Sequence, residues 1–197
     1  MHNPYLEVVL KLGPLNEIAS RYATRQTLVK SYSWAIPNEN AINTIKKFSP
    51  IIEIGAGNGY WAWLLREEGV DIVALDHLPP DRAPNFFFNY KDIKTEWKPR
   101  ATWTPVGDGG PRSILQYPGR TLLLCWPPYQ TKMAASCLAH YRGEYIIYVG
   151  EGQGGCTGSK QFHRELEHHW KQIEIIDIPQ WPNIYDSLFI WQRLPPL

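Results

Sequence analysis

The residues best placed to do chemistry are two carboxylates and three glycines, in Glu53-Ile54-Gly55-Ala56-Gly57-Asn58-Gly59 and, one helix later, Val73-Ala74-Leu75-Asp76. Glycines let the main chain turn tightly and approach a ligand that a side chain would exclude. A carboxylate ending the following strand can accept hydrogen bonds from both hydroxyls of a ribose. Together they suit a nucleoside-bearing ligand. The spelling lacks the helix-directed third glycine of the dinucleotide pattern Gly-x-Gly-x-x-Gly. A ligand without phosphate has less use for the anion-binding helix end that a pyrophosphate occupies.

Two further segments could carry a reaction. In Leu122-Leu123-Leu124-Cys125-Trp126-Pro127-Pro128-Tyr129 a buried apolar run ends in a proline pair flanked by aromatic rings. Two prolines stiffen the loop and leave carbonyls without a competing local donor. In Gly150-Glu151-Gly152-Gln153-Gly154-Gly155-Cys156-Thr157-Gly158 five glycines surround Glu151 and Gln153. Glu151 is a candidate base or substrate-orienting carboxylate, or else a solvated loop acid. His163 is read as a helix-surface histidine, and His168-His169 are adjacent, so they cannot share one helix face as metal ligands do. No metal is expected.

Alternating patterns build the scaffold around these segments, from about residue 38 to the end. A helix starts at Pro37-Asn38-Glu39, with Ile42, Ile45 and Phe48 on one face, and Pro50 stops it. Strands are expected at Ile51–Ile54, Asp71–Leu75, Ala101–Val106, Thr121–Cys125 and Tyr145–Val149, and two closing antiparallel strands at Ile173–Ile178 and Ser187–Gln192. Helices are expected at Tyr60–Glu68, Ser113–Tyr117, Thr131–Tyr141 and Lys160–Trp170. Pro79 to Lys98 is Pro- and Asn-rich around Phe86-Phe87-Phe88 and reads as irregular. Leu15, Ile18, Ala19 and Tyr22 are spaced as on a helix within an extension over residues 1–36, which leaves 37–197 as the main domain.

The Glu-x-Gly-x-Gly-x-Gly run with Asp76 resembles the first motif of class I S-adenosylmethionine-dependent methyltransferases. The resemblance covers about residues 32–193. It implies an α/β fold of three layers, a Rossmann-like seven-stranded sheet of order 3-2-1-4-5-7-6 with the last strand antiparallel. It implies S-adenosylmethionine as cofactor and S-adenosylhomocysteine as product. Gly55, Ala56, Gly57 and Gly59 would lie along the methionine half, with Glu53 near the amino end, Asp76 on the ribose and Cys125 beside the cofactor. Asp108 falls where the family often places an acid on the adenine amino group, or is a turn aspartate between glycines. Tyr32-Ser33-Trp34 resembles lid segments that cover the cofactor in several small-molecule methyltransferases; for Trp34, core packing is an equal reading.

Trp126-Pro127-Pro128-Tyr129 resembles the (Asp/Asn/Ser)-Pro-Pro-(Tyr/Phe/Trp) motif of amino-group methyltransferases. There the first residue and a proline carbonyl accept hydrogens from the target amine, and the final aromatic stacks on the substrate. Here the match covers Pro127, Pro128 and Tyr129. Trp126 stands at the acceptor position, and an indole is a donor only, which puts amine methylation in doubt.

Composition narrows the acceptor. The 197 residues carry a formal net charge of +1, with 9 Trp and 11 Tyr. A near-neutral surface does not favour a phosphate polymer, whereas flat amphipathic rings suit a pocket for a planar ligand. A small or planar acceptor is therefore the first expectation. A nucleic-acid amino methyltransferase is the second, favoured by Pro127-Pro128-Tyr129 and a basic N-terminal stretch. A non-catalytic methyltransferase-like binding subunit is the third. No run approaches the ~20 apolar residues of a membrane span. Cys125, Cys137 and Cys156 share no metal-type spacing and suit a reducing cytoplasm.

Overall fold

The computed structural model describes residues 1–12, 18–82, 85, 87 and 102–195, with the side chains of residues 18–22 left aside. Seven strands form one sheet: β1 (Ile51–Ile54), β2 (Ile72–Asp76), β3 (Gly107–Asp108), β4 (Thr121–Cys125), β5 (Tyr145–Gly150), β6 (Trp170–Asp177) and β7 (Ser187–Arg193). Their order is β3-β2-β1-β4-β5-β7-β6. β1 to β5 pair in parallel, and β7 runs antiparallel to both β5 and β6. This is the order and the reversed strand that the resemblance implies.

Period-two alternation in the central strands divides the core between the two faces. Ile51, Leu123, Ile147 and Val149 join one cluster, with residues of α1 (Pro4–Lys11), α3 (Glu39–Lys46) and α4 (Tyr60–Glu67). Ile52, Leu122, Leu124 and Ile146 join the other, with residues of α5 (Met133–His140) and α6 (Lys160–His169). The result is a three-layer sandwich with β1, β2, β4 and β5 covered on both faces. The helix starts are locally encoded. The side chain of Asn3 accepts from Leu6 N at 3.1 Å, Asn38 from Ala41 N at 2.8 Å and Ser159 from Phe162 N at 3.2 Å.

α2 (Ile18–Ser31) follows α1 in the N-terminal segment. α1 docks into the core: Tyr5 is fully buried, its ring stacks on Tyr32 at 4.9 Å, and its hydroxyl accepts from Trp181 Nε1 at 3.0 Å. Tyr5→Phe should therefore cost about 1–3 kcal/mol, the penalty for a buried donor left without a partner. Denaturant unfolding checks this, and an unchanged midpoint would detach the hydroxyl from stability.

One element departs from the expected plan. Ala101–Val106 does not form the third strand; pairing is confined to Gly107 and Asp108, opposite Leu75 and Asp76. Pro105 has no N–H to give a ladder, and Trp103 N donates instead to Asn58 O at 2.8 Å. Ala101 itself lies outside the described residues, as do Leu15 and most of the irregular segment between Pro79 and Lys98. The short helix after β3 is a 3₁₀ helix, Pro111–Gln116. Among the described residues no helix is long and apolar enough to cross a membrane.

Candidate active site

Strand order reverses between β1 and β4, and in open α/β sheets ligands lie beyond the carboxyl ends of the strands at such a point. A mostly apolar cavity of about 270 Å³ opens there. The loop after β1 supplies Gly55, Ala56 and Asn58, with Glu53 at the strand's end and Tyr60 and Trp61 from the start of α4. The loop after β2 supplies Asp76, His77 and Leu78, joined by Asn85, Gly109 and Gly110. The remaining wall is Ser33, Trp34 and Phe87 with Cys125, Trp126, Pro128, Thr131 and Met133.

The glycine loop is held by its own carboxylate. Asp76 Oδ2 accepts from Gly57 N at 2.8 Å, and Oδ1 from Leu78 N at 2.9 Å and Asn85 Nδ2 at 3.2 Å. Three donors leave part of the acceptor capacity of two carboxylate oxygens free, so Asp76 can both brace the loop and receive a ligand's hydroxyls. Gly55 has φ +80°, and a Cβ there would meet Met133 Cε at 2.9 Å. Gly59 has φ +77° and packs against Val106 and Thr104. Gly57 and Gly59 shape the loop without lining the cavity.

Glu53 is 1% exposed, lines the cavity, and its Oε2 has no hydrogen-bond partner. Burial pushes its carboxyl up to about 8, with Asp76 adding to the rise and Arg66 opposing it. Trp61 Nε1 is also buried without a partner on the same cavity. Orphaned buried polar groups of this kind are rare in folded proteins and mark positions where something else completes the bonding. An acceptor and a donor are what the ammonium and carboxylate of an amino-acid moiety require, so the residues present fit such a group. Cys125 lines the cavity as a neutral thiol, raised well above its ordinary value by burial and by Glu53 and Asp186.

The proline loop is arranged differently from the resembled motif. Trp126 takes φ +52°, a conformation that costs a bulky residue energy and persists only where the surroundings hold it. They do: Trp126 N donates to Val149 O at 2.8 Å, and Nε1 donates to Asp186 Oδ1 and Oδ2 at 2.8 and 2.9 Å. The indole stacks on Trp34 with centroids 4.9 Å apart and planes 21° apart. Asp186 is 1% exposed, and burial pushes its carboxyl up to about 7; the Trp126 bond opposes that rise, Glu151 adds to it and Arg25 lowers it.

Several expected site residues stand elsewhere. Tyr129 is half exposed, off the cavity, and its hydroxyl accepts from Gln130. The ring stacked on Trp126 is Trp34. Tyr32 packs into a ring cluster with Tyr5, Tyr60 and Trp103 and does not reach the cavity. Pro127 lies behind the wall, its carbonyl accepting from Gly158 N at 2.8 Å. Asp108 is exposed, while Gly109 and Gly110 form the lining beside it.

Glu151 is 6% exposed, but its carboxylate faces main chain: Oε2 accepts from Cys156 N at 2.7 Å and Oε1 from Tyr185 N at 2.8 Å. Those bonds outweigh burial and lower its pKa, so it fastens the loop and is poorly suited to take a proton. His163 is buried, with Nε2 2.8 Å from Thr157 O.

Asp186, Arg25, Trp61 and Met133 carry no motif and escape a reading by spacing. Asp186 meets Trp126 across 60 residues of sequence. The Arg25 guanidinium lies 5.4 and 5.7 Å from the ring centroids of Trp34 and Trp126.

The chain matches no protein-family model, and no curated protein matches it in sequence. Among solved structures it is similar to magnesium protoporphyrin IX methyltransferase (ChlM) from Synechocystis PCC 6803 with bound SAM, at TM-score 0.49 and 11% identity over 92% of this chain and 86% of that one. It is similar to 1,6-didemethyltoxoflavin-N1-methyltransferase from Burkholderia thailandensis, at TM-score 0.45 and 14% identity over 89% and 90%. A mutant of MtNAS gives TM-score 0.49 and 12% identity over 92% of this chain and 67% of that one. At such identities the likeness concerns the path of the chain and says nothing of individual residues.

Proposed function

We propose that this chain is an S-adenosylmethionine-dependent methyltransferase acting on a small planar acceptor. The observation that carries the reading is the unpartnered, buried carboxylate of Glu53 on the same cavity as Asp76. One acid is free for an ammonium and the other placed for ribose hydroxyls. When bound, S-adenosylmethionine supplies a methyl group on a cationic sulfonium. Glu53 and Trp61 would hold its amino-acid end, Asp76 its ribose, and Gly55 and Ala56 would bring main chain against the chain between them. Gly109 and Gly110 would flank the base. Trp34, Trp126 and Met133 exclude water from the far wall and offer flat, polarisable surfaces to a planar acceptor.

The activity is supported by cavity chemistry and strand order, and calorimetry with S-adenosylhomocysteine tests it. Micromolar binding is expected, about 8 kcal/mol. Transfer of labelled methyl then separates an enzyme from a binding subunit. No heat with either the cofactor or its product would end the reading. Methyl transfer into DNA or RNA would favour a nucleic-acid amine acceptor, against which stands the engagement of Trp126 by Asp186.

The affinity should also rise with pH. Free Glu53 is largely protonated below about 8, whereas an ammonium partner favours the carboxylate. Binding therefore releases a proton, and affinity increases between pH 6 and about 8. Calorimetry in buffers of different ionisation heat checks this; a flat profile with no proton release would remove Glu53 from the ammonium.

A further inference from the structure

In the loop after β4, the groups that could hold an amine already carry hydrogen bonds, which leaves them reduced acceptor capacity. Trp126 Nε1 donates to both oxygens of Asp186. The Pro127 carbonyl accepts from Gly158 N at 2.8 Å, and the Pro128 carbonyl from Thr131 Oγ1 at 3.1 Å. Glu151, on the neighbouring loop, is committed to two main-chain N–H groups. A buried exocyclic amine brings N–H donors, and each one left without an acceptor costs about 1–3 kcal/mol. Such an amine would also need a route for its proton.

What the wall does present is π surface that tolerates positive charge. Trp34 and Trp126 both line the cavity. The Arg25 guanidinium lies within 5.7 Å of both ring centroids, and its Nε and Nη2 are buried with no hydrogen-bond partner. Ring faces, not hydrogen bonds, accommodate that cation. Among the described residues, Arg25 acts electrostatically on the carboxyls of Asp186 and Glu151 and lowers the pKa of both. These two carboxyls offset the guanidinium charge that lies beside the Trp34–Trp126 pair.

We infer that the methylated atom carries no proton: the acceptor is a planar heteroaromatic with a free ring-nitrogen lone pair, and the product is a cation held against Trp34 and Trp126. The inference rests on the methyltransferase reading. The nitrogen lone pair forms the new bond to the methyl carbon, and the sulfur–carbon pair stays with sulfur. The positive charge passes from sulfur to nitrogen with no proton released. No base is needed, in keeping with Glu151 being occupied.

The test is calorimetry on the protein saturated with S-adenosylhomocysteine, titrated with N-methylquinolinium and with 1-methylnaphthalene, which share a shape and differ in charge. The cation should bind at least tenfold more tightly, and Trp34→Leu should erase the preference while S-adenosylhomocysteine affinity stays within about threefold. Should Trp34→Leu lose that affinity, Trp34→Phe, with a weaker ring quadrupole, must still reduce the preference. A smaller preference, no binding of the cation, or a preference that survives the Trp34 variants would overturn the inference. Intact S-adenosylhomocysteine binding in those cases leaves the methyltransferase reading standing; its absence in the unmodified protein removes both.

Discussion

Asp76→Ala is expected to weaken S-adenosylhomocysteine binding by about 100-fold or more, some 2.8 kcal/mol at 1.4 kcal/mol per factor of ten. Two losses combine. The ribose hydroxyls would lose a charged acceptor, and hydrogen bonds to charged groups contribute about 1.5–3 kcal/mol. In addition, Gly57 N, Leu78 N and Asn85 Nδ2 converge on this one carboxylate. Without it the glycine loop and the loop after β2 lose their common anchor, and the cavity loses its shape before any ligand arrives. Asp76→Asn should be intermediate, since an amide keeps one acceptor oxygen but turns a donor toward one of three donors. Calorimetry decides: an Asp76→Ala protein within threefold of the unmodified affinity would move the ribose contact to another residue.

Trp126→Ala should separate turnover from cofactor binding. Labelled methyl transfer should fall by more than about 100-fold, as for loss of a group that orients the acceptor, with S-adenosylhomocysteine affinity changed by less than about threefold. The same variant strands the buried carboxyl of Asp186, at a cost of about 1–3 kcal/mol. That cost has a sign in pH. Asp186 has a folded pKa raised to about 7, so its protonated form is favoured in the fold. The associated stability is full below its unfolded value, near 4, and is lost as pH rises through the folded value. Removing the indole donor raises the folded value further, so the gap between variant and unmodified protein should widen from pH 5 to pH 8. Thermal melts across that range check it; a pH-independent gap would mean that Asp186 does not titrate against Trp126. Unchanged methyl transfer would take Trp126 out of the acceptor site.

Periodicity and turn chemistry made most of the scaffold legible. The short apolar runs in Ile51–Ile54 and Thr121–Cys125, and the glycine run between the first strand and helix, are local signals of local geometry. The third strand was misread because Thr102-Trp103-Thr104 looks extended and β-prone. The Trp103 N–H is claimed by Asn58 O of the glycine loop, and Pro105 has none. Spacing along a chain also names the loop on which a residue sits without saying which way its side chain turns. Tyr32 and Trp34 are two residues apart, yet one joins the ring cluster around Tyr5 and the other lines the cavity. For the same reason Trp126 lines the cavity while Tyr129, three residues on, turns outward. Asp186 left no trace in the sequence because its meaning depends on a partner 60 residues earlier.

The loops after β4 and β5 are bolted together: Gly158 N to Pro127 O, a bridge between Pro128 and Thr157, and Thr157 Oγ1 on Glu151 N at 2.7 Å and near Tyr148 Oη at 2.6 Å. Main chain fastened at several points resists local opening. If the chain turns over as proposed, a planar product held against Trp34 and Trp126 would meet fastened main chain on the Trp126 side, and on the Trp34 side a stretch held by Ser33 Oγ on Ala35 O and by Asn3 Nδ2 on Pro37 O. On the proposed reading, Trp34 is then the wall position whose replacement would reshape the acceptor side while leaving the sheet and its fastened loops as they are.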